Sequence, residues 1–394
     1  MKKILFIPTY TYLSSPIFSN LLTQLEGYER IYLDVEEEFP SPKTTQNFKK
    51  QFDRVISLNI KYENKIFFSN IEKLLKMNNF KNRLRKIIKE ESPSVVVTTS
   101  DLSLSVRVIK KYFSNIPIVI IQSAMIANTG LERSYKQYFE YIIFNKIFSL
   151  PFIRKQNYFA NEYNDMFILL WGEYFKQMIY KNQHIKLIGD ITFDKFPIKK
   201  ILDSKKKLSK EYDFDINCNI VTICTSAFSG LIMKSTEEKL YKIYKDFILK
   251  REDLFFIIKP HPREKENRLT KFIEKGGVKN VIISDNHLHE LFEYTDIHIS
   301  SFSRTALEAL ASEIPILSIN PNNEIQLEDF FNNEINEQVR NLDEMIFKID
   351  ALLRSTDEFM RLREVYIEKM LYKLDGKATE RAVGIIKKEL NNNE

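Results

Sequence analysis

Leu254-Phe-Phe-Ile-Ile-Lys-Pro-His-Pro-Arg263 reads as a strand that runs out into a stiff, basic loop. Residues 254–258 are apolar at every position, the pattern of a strand covered on both faces. Working outward, the same pattern recurs. Before it stand runs at 3–7, 30–35, 94–98, 116–121, 167–171 and 184–188; around it stand 220–224, 281–283, 297–299 and 314–319. Helical patterns separate them, at 18–25, at 80–89 (basic and amphipathic), at 236–250, and from 342 to near 388. Strands buried on both faces and alternating with helices predict an α/β chain. The expected architecture is two Rossmann-like, doubly wound parallel sheets facing across a cleft, with a helical C-terminus. A lysine-rich stretch, Ile198-Lys-Lys to Lys210, has no long apolar run and separates the two halves. The expected domains are 1–197, a linker at 198–218, a second domain at 219–340, and C-terminal helices at 341–394.

Composition narrows the class. The 394 residues are 44% hydrophobic and 28% charged, which excludes a disordered chain, a collagen or a small disulfide scaffold. Lys+Arg 59 less Asp+Glu 53 leaves +6, too dilute to predict a nucleic-acid partner but compatible with an anionic small molecule or membrane surface. Cys218 and Cys224 flank one apolar run and are expected to be reduced core residues of a cytoplasmic protein. The apolar stretch at 4–7 is shorter than the ~7–15 residues of a secretory signal, so no leader is expected. No run approaches the ~18 apolar residues of a membrane span.

Chemistry gathers at strand ends. Lys259, His261 and Arg263 lie just past a carboxyl end, where open α/β sheets bind ligands, and prolines on both sides hold His261. Three cationic side chains suit a phosphate; the plainer alternative is a solvated basic turn. In Ile297-His-Ile-Ser-Ser-Phe-Ser-Arg-Thr-Ala-Leu-Glu308 a strand runs into a helix through hydroxyls. Thr305 and Glu308 have capping-box spacing, which predicts a helix start near Arg304 with Ser300, Ser301 and Ser303 around it. Glu308 serves either that cap or ribose hydroxyls. Thr225 and Ser226 follow the strand at 220–224 and open on the same edge. Asp213-Phe-Asp215 reads as a turn, His287 and His289 lack a ligand array, and His184 and His298 read as structural, so no metal site is expected.

The order of Thr/Ser loop, Lys-Pro-His-Pro and Ser-Ser…Glu-Ala-Leu resembles the C-terminal domain of GT-B glycosyltransferases. It is most similar to bacterial capsule and teichoic-acid enzymes: polysialyltransferases, Kdo transferases and CDP-glycerol glycerophosphotransferases. Trp171-Gly172 and Ile188-Gly-Asp-Ile-Thr-Phe-Asp194 resemble the crossover of such enzymes and of UDP-GlcNAc 2-epimerases. The resemblance implies transfer of a sugar from a CMP-, CDP- or UDP-linked donor to a glycan or lipid-linked acceptor in surface polysaccharide synthesis, without a cofactor. It assigns His261 to the donor phosphate, Ser300, Ser301 and Ser303 to phosphate or nucleotide, and Glu308 to ribose. Many relatives carry His-Gly after the strand corresponding to 116–121, where this chain has Gln122-Ser123. A general base must then come from a carboxylate, and Asp101 and Glu132 are the candidates; each also reads as a plain loop carboxylate. An epimerase expects paired glycines where Phe302 and Ser303 stand. That enzyme and a non-catalytic GT-B binding partner are the alternatives. The aromatic segment 135–159, with Lys146, Arg154 and Lys155, is expected either to touch a membrane peripherally or to form a buried helix pair.

Overall fold

A computed structural model describes residues 1–8, 11–35, 47–58, 70–100, 103–124, 164–179, 184–194, 202–226, 232–261, 264, 268–276, 278–301, 303–324, 335, 338–354 and 356–392. The chain forms two compact units, Met1–Lys195 with Glu368–Glu394, and Phe196–Ile367.

The first unit runs β1 (Lys3–Ile7), α1 (Thr11–Leu22), β2 (Glu29–Asp34), β3 (Arg54–Ser57), α2 (Asn70–Glu91), β4 (Val95–Thr98), α3 (Leu104–Tyr112), β5 (Ile118–Ile121), β6 (Phe167–Leu170), α4 (Glu173–Lys176) and β7 (Ile185–Leu187). Its strands pair in parallel in the order β3-β2-β1-β4-β5-β6-β7. Alternation along β1 explains why the run is apolar throughout. Ile4 and Phe6 enter one core with Phe18, Tyr32 and Leu390, while Leu5 and Ile7 enter another with Leu84, Ile88 and Val106.

The second unit runs α5 (Leu202–Tyr212), β8 (Asn219–Cys224), α6 (Lys234–Lys250), β9 (Leu254–Lys259), α7 (Arg268–Gly276), β10 (Val281–Ile283), α8 (Leu288–Phe292), β11 (Ile297–Ser300), α9 (Thr305–Ala311), β12 (Ile316–Ile319), β13 (Gln338–Val339) and α10 (Leu342–Arg354). Its parallel sheet has the order β10-β9-β8-β11-β12-β13. Phe256 and Ile258 pack on the α6 side, Phe255 and Ile257 on the other. The stretch expected to be a linker contains α5, whose Leu208 packs with Ile220 and Phe255. A helix with four lysines that meets the core through Leu208 and the Tyr212 ring shows no apolar run in sequence.

The C-terminal helices divide between the units. Residues up to Ile367 of α11 (Thr356–Leu371) belong to the second, while the end of α11 and all of α12 (Ala378–Asn391) belong to the first. Ala378, Ala382, Val383, Ile386 and Leu390 of α12 complete the core beside Ile4 and Phe6. Asp194 fixes where α12 starts. Its Oδ1 accepts the Ala378 N–H at 2.9 Å and its Oδ2 the Thr379 N–H at 2.6 Å. Lys377, the N-cap residue, offers no side-chain bond of its own. Asp194→Ala is expected to destabilise the first unit by ~1–2 kcal/mol, with Asp194→Asn recovering part of it. Urea unfolding followed by fluorescence of Trp171, the only tryptophan, measures this.

Candidate functional site

The strand register places the sequence candidates on one edge. Across β9, β8, β11 and β12, Lys259 pairs with Cys224, Cys224 with Ser300, and Ser300 with Ser318. At about 5 Å per strand, the Lys259 and Ser300 backbones lie about 10 Å apart. The chain passes from β8 to β9 on one side and returns to β11 on the other, so the order reverses at β8/β11. Such a switch point splays the loops and opens a crevice outside the carboxyl ends. Thr225 and Ser226 leave one side of it, Ser300 and Ser301 the other.

The Lys-Pro-His-Pro loop is anchored to the β8 loop. The His261 N–H donates to Thr225 Oγ1 at 2.8 Å, and the Thr225 N–H donates to the Lys259 carbonyl at 3.1 Å. Thr225 Oγ1 donates in turn to the Glu264 carboxylate, which also accepts from the Tyr241 hydroxyl at 2.6 Å. The Glu264 N–H closes the turn on the His261 carbonyl at 2.8 Å. Burial and the adjacent Glu264 push the Tyr241 phenol well above its ordinary range, so it stays a donor. Tyr244, fully buried and likewise raised by burial, lies 3.2 Å from Ser301 Oγ. Glu264, Tyr241 and Tyr244 were not candidates from sequence. Glu264 follows His261 by three residues, but its partners lie on other elements and leave no local signature.

Ser300 is the informative residue. It is 1% exposed, and its Oγ hydrogen-bonds to none of the described residues. A buried hydroxyl without a partner costs free energy, about 1–3 kcal/mol, that a ligand at the edge would recover. Beside it, burial pushes the Cys224 thiol up to about 12, so the thiol is neutral; Cys218 and Cys224 are both free. His298, inside β11, is fully buried and held down to about 3, so it is a neutral ring. Its Nε2 lies 3.0 Å from Thr305 Oγ1.

That contact corrects the capping expectation. Arg304 is the N-cap residue of α9, its backbone is already helical, and it makes no side-chain cap. Thr305 spends its hydroxyl on His298, Ser303 Oγ accepts the Thr305 N–H at 3.2 Å, and Glu308 lies 3.7 Å from Arg304. The helix still starts near Arg304, with the Ser303 hydroxyl rather than a Thr305–Glu308 box on its first N–H group. Asp213-Phe-Asp215 is a turn, with Asp215 Oδ1 accepting the Asn217 N–H at 2.9 Å and Phe214 stacked on Phe255.

In the first unit, Gln122 stands just past β5. Its Oε1 accepts the Trp171 N–H at 3.0 Å, its Nε2 donates to the Ala124 carbonyl, and its own carbonyl accepts Trp171 Nε1–H at 2.9 Å. The amide is a clamp on Trp171. Asp101, Glu132, Arg263 and the 135–159 segment lie outside the described residues. Hydroxyls, N–H groups, Lys259 and His261 along one edge form a surface that can hold a phosphate by donors and positive charge.

No family model matches the chain, and no curated protein matches it. Solved structures do. A glycosyltransferase from Rickettsia africae is similar over 100% of this chain and 99% of its own, at 18% identity and a TM-score of 0.63. The wall teichoic acid polymerase TagF, soaked with CDPG, is similar over 100% and 90%, at 11% identity and 0.57. UDP-GlcNAc 2-epimerase from Neisseria meningitidis, bound to UDP-GlcNAc, is similar over 98% and 100%, at 14% identity and 0.58. With its two parallel sheets of seven and six strands, the chain has the GT-B fold.

Proposed function

We propose that the chain is a glycosyltransferase that moves a sugar from a CMP-, CDP- or UDP-linked donor to a glycan or lipid-linked acceptor, in the cytoplasm of a bacterium building surface polysaccharide. The observation that carries it is the buried Ser300 hydroxyl at the switch point, which bonds to none of the described residues, in line with Lys259 and the anchored His261 loop. The second unit binds the donor. Lys259, His261 and Arg263 neutralise the leaving phosphate, with Thr225, Ser226, Ser300, Ser301 and Ser303 as donors around it, so no metal is required. Arg304 and Thr305, at the α9 start, line the nucleotide site, and Glu308 meets the ribose. The first unit binds the acceptor, and Asp101 or Glu132 takes its proton. Glycosyltransferases among the solved structures of like fold support the reading, and fold alone leaves the chemistry to the site.

Ser300→Ala tests the carrying observation. Since the hydroxyl bonds to none of the described residues, its loss is expected to keep stability or raise it by up to about 1–3 kcal/mol, and to weaken nucleotide binding about tenfold or more. Calorimetric titration with CMP, CDP, UDP and GDP reads both the loss and the preferred base. A destabilised variant that binds nucleotide normally would make Ser300 structural.

The epimerase remains the rival because an enzyme of that kind shares the fold. Incubation with nucleotide-sugars alone separates the two. The transferase yields free nucleotide only with an acceptor, whereas an epimerised sugar-nucleotide made without acceptor would replace this reading.

A further inference from the structure

Helix α2 buries Phe80, Leu84 and Ile88 against the first sheet, with Met77 buried a turn before them. Along one flank of that stripe stand Lys81, Arg85 and Lys89, four residues and therefore about 6 Å apart in succession. Helix α3 packs alongside and ends in Lys111 and Tyr112. The Arg85 guanidinium lies 4.4 Å from the centre of the Tyr112 ring, and Lys111 Nζ lies 5.7 Å from it. Arg85 Nε is buried and hydrogen-bonds to none of the described residues. Burial and the neighbouring Arg85 hold Lys81 below its ordinary range, and burial with Lys81 does the same to Lys111.

The contrast with nearby cations is informative. Arg54 and Lys3 both pair with Glu91, and Lys110 pairs with Asp165. Among the described residues, no carboxylate lies within ion-pair distance of Lys81, Arg85, Lys89 or Lys111. Like charges at i, i+4 on a helix cost stability, and one glutamate in the stripe would relieve it. The uncompensated charge therefore serves something outside the fold. Leu75, on the same helix, is 65% exposed.

We propose that this face docks the first unit on an anionic phospholipid bilayer. The cation stripe matches a plane of headgroup phosphates, and exposed Leu75 suits the acyl boundary, for which a soluble polyanion has no use. None of these residues belongs to the strand-end site, so the proposal stands apart from the transferase reading.

Co-sedimentation of the full chain with vesicles tests it. The chain is expected to sediment with phosphatidylglycerol–phosphatidylcholine vesicles, weakly with pure phosphatidylcholine, and to be released by high salt. The triple variant Lys81→Gln, Arg85→Gln, Lys89→Gln should partition about 100-fold less, at about fivefold per cation. Leu75→Ser should lower partitioning a few-fold and leave the salt response unchanged. No retention on phosphatidylglycerol, or equal retention of a triple variant with native circular dichroism, overturns the proposal. Binding of polyphosphate by a chain that ignores vesicles also overturns it, in favour of a soluble polyanion.

Discussion

Replacing His261 with alanine is expected to slow sugar transfer by about 10²-fold or more while leaving the protein folded. Two backbone contacts hold the loop path. The backbone N–H of His261 is tied to Thr225 Oγ1, and its carbonyl accepts from Glu264 N–H. Removing the ring therefore deletes a donor without releasing the turn. On the proposed reading, what would be lost is stabilisation of charge that grows on the nucleotide phosphate as the glycosidic bond breaks, which the ground state needs less. Turnover should fall with little change in donor affinity. A native rate in a folded variant would remove His261 from the reaction and leave the Lys-Pro-His-Pro segment as a structural turn.

Gly172→Ala is expected to cost about 3 kcal/mol, the largest stability effect of a single methyl group in the first unit. The backbone of Gly172 is extended, with φ of −157°, so an L-residue fits its conformation. Space is the obstacle. A Cβ there would come within 2.5 Å of the Lys369 carbonyl and of the Met370 backbone. Those atoms cannot recede alone, because Met370 and Leu371 are fully buried. Gly384, inside α12, has nothing within 4 Å of its would-be Cβ, and Gly384→Ala should gain up to about 1 kcal/mol from helix propensity. Denaturant midpoints of the two variants, read by Trp171 fluorescence, should move in opposite directions. A Gly172→Ala midpoint equal to the native one would mean that α11 does not close on this strand end.

The sequence made the interior of both sheets legible because each core strand is covered on both faces. The runs at 3–7 and 281–283 are strands at those bounds, and 254–258 is lengthened only by Lys259. Elements with few apolar contacts escaped. The edge strand Arg54–Ser57 is mostly solvated, and α5 shows the core little beyond Leu208 and the Tyr212 ring. Local motif geometry failed where a distant partner intervened. Thr305 has the spacing of a cap but bonds His298, and the Glu264 hub joins a β8 loop to α6. Trp171-Gly172 and Gly189…Asp194 resemble family marks. Here their physical work is packing: Gly172 admits the end of α11, Gly189 turns at φ +83°, and Asp194 caps α12.

A crystal of the protein soaked with the nucleotide it binds most tightly tests the strand-end site most directly. The account predicts phosphate oxygens within hydrogen-bond distance of Ser300 Oγ and the His261 ring. Nucleotide bound with its phosphates away from β8 and β11, or held as tightly by a Ser300→Ala chain as by the native one, would contradict it.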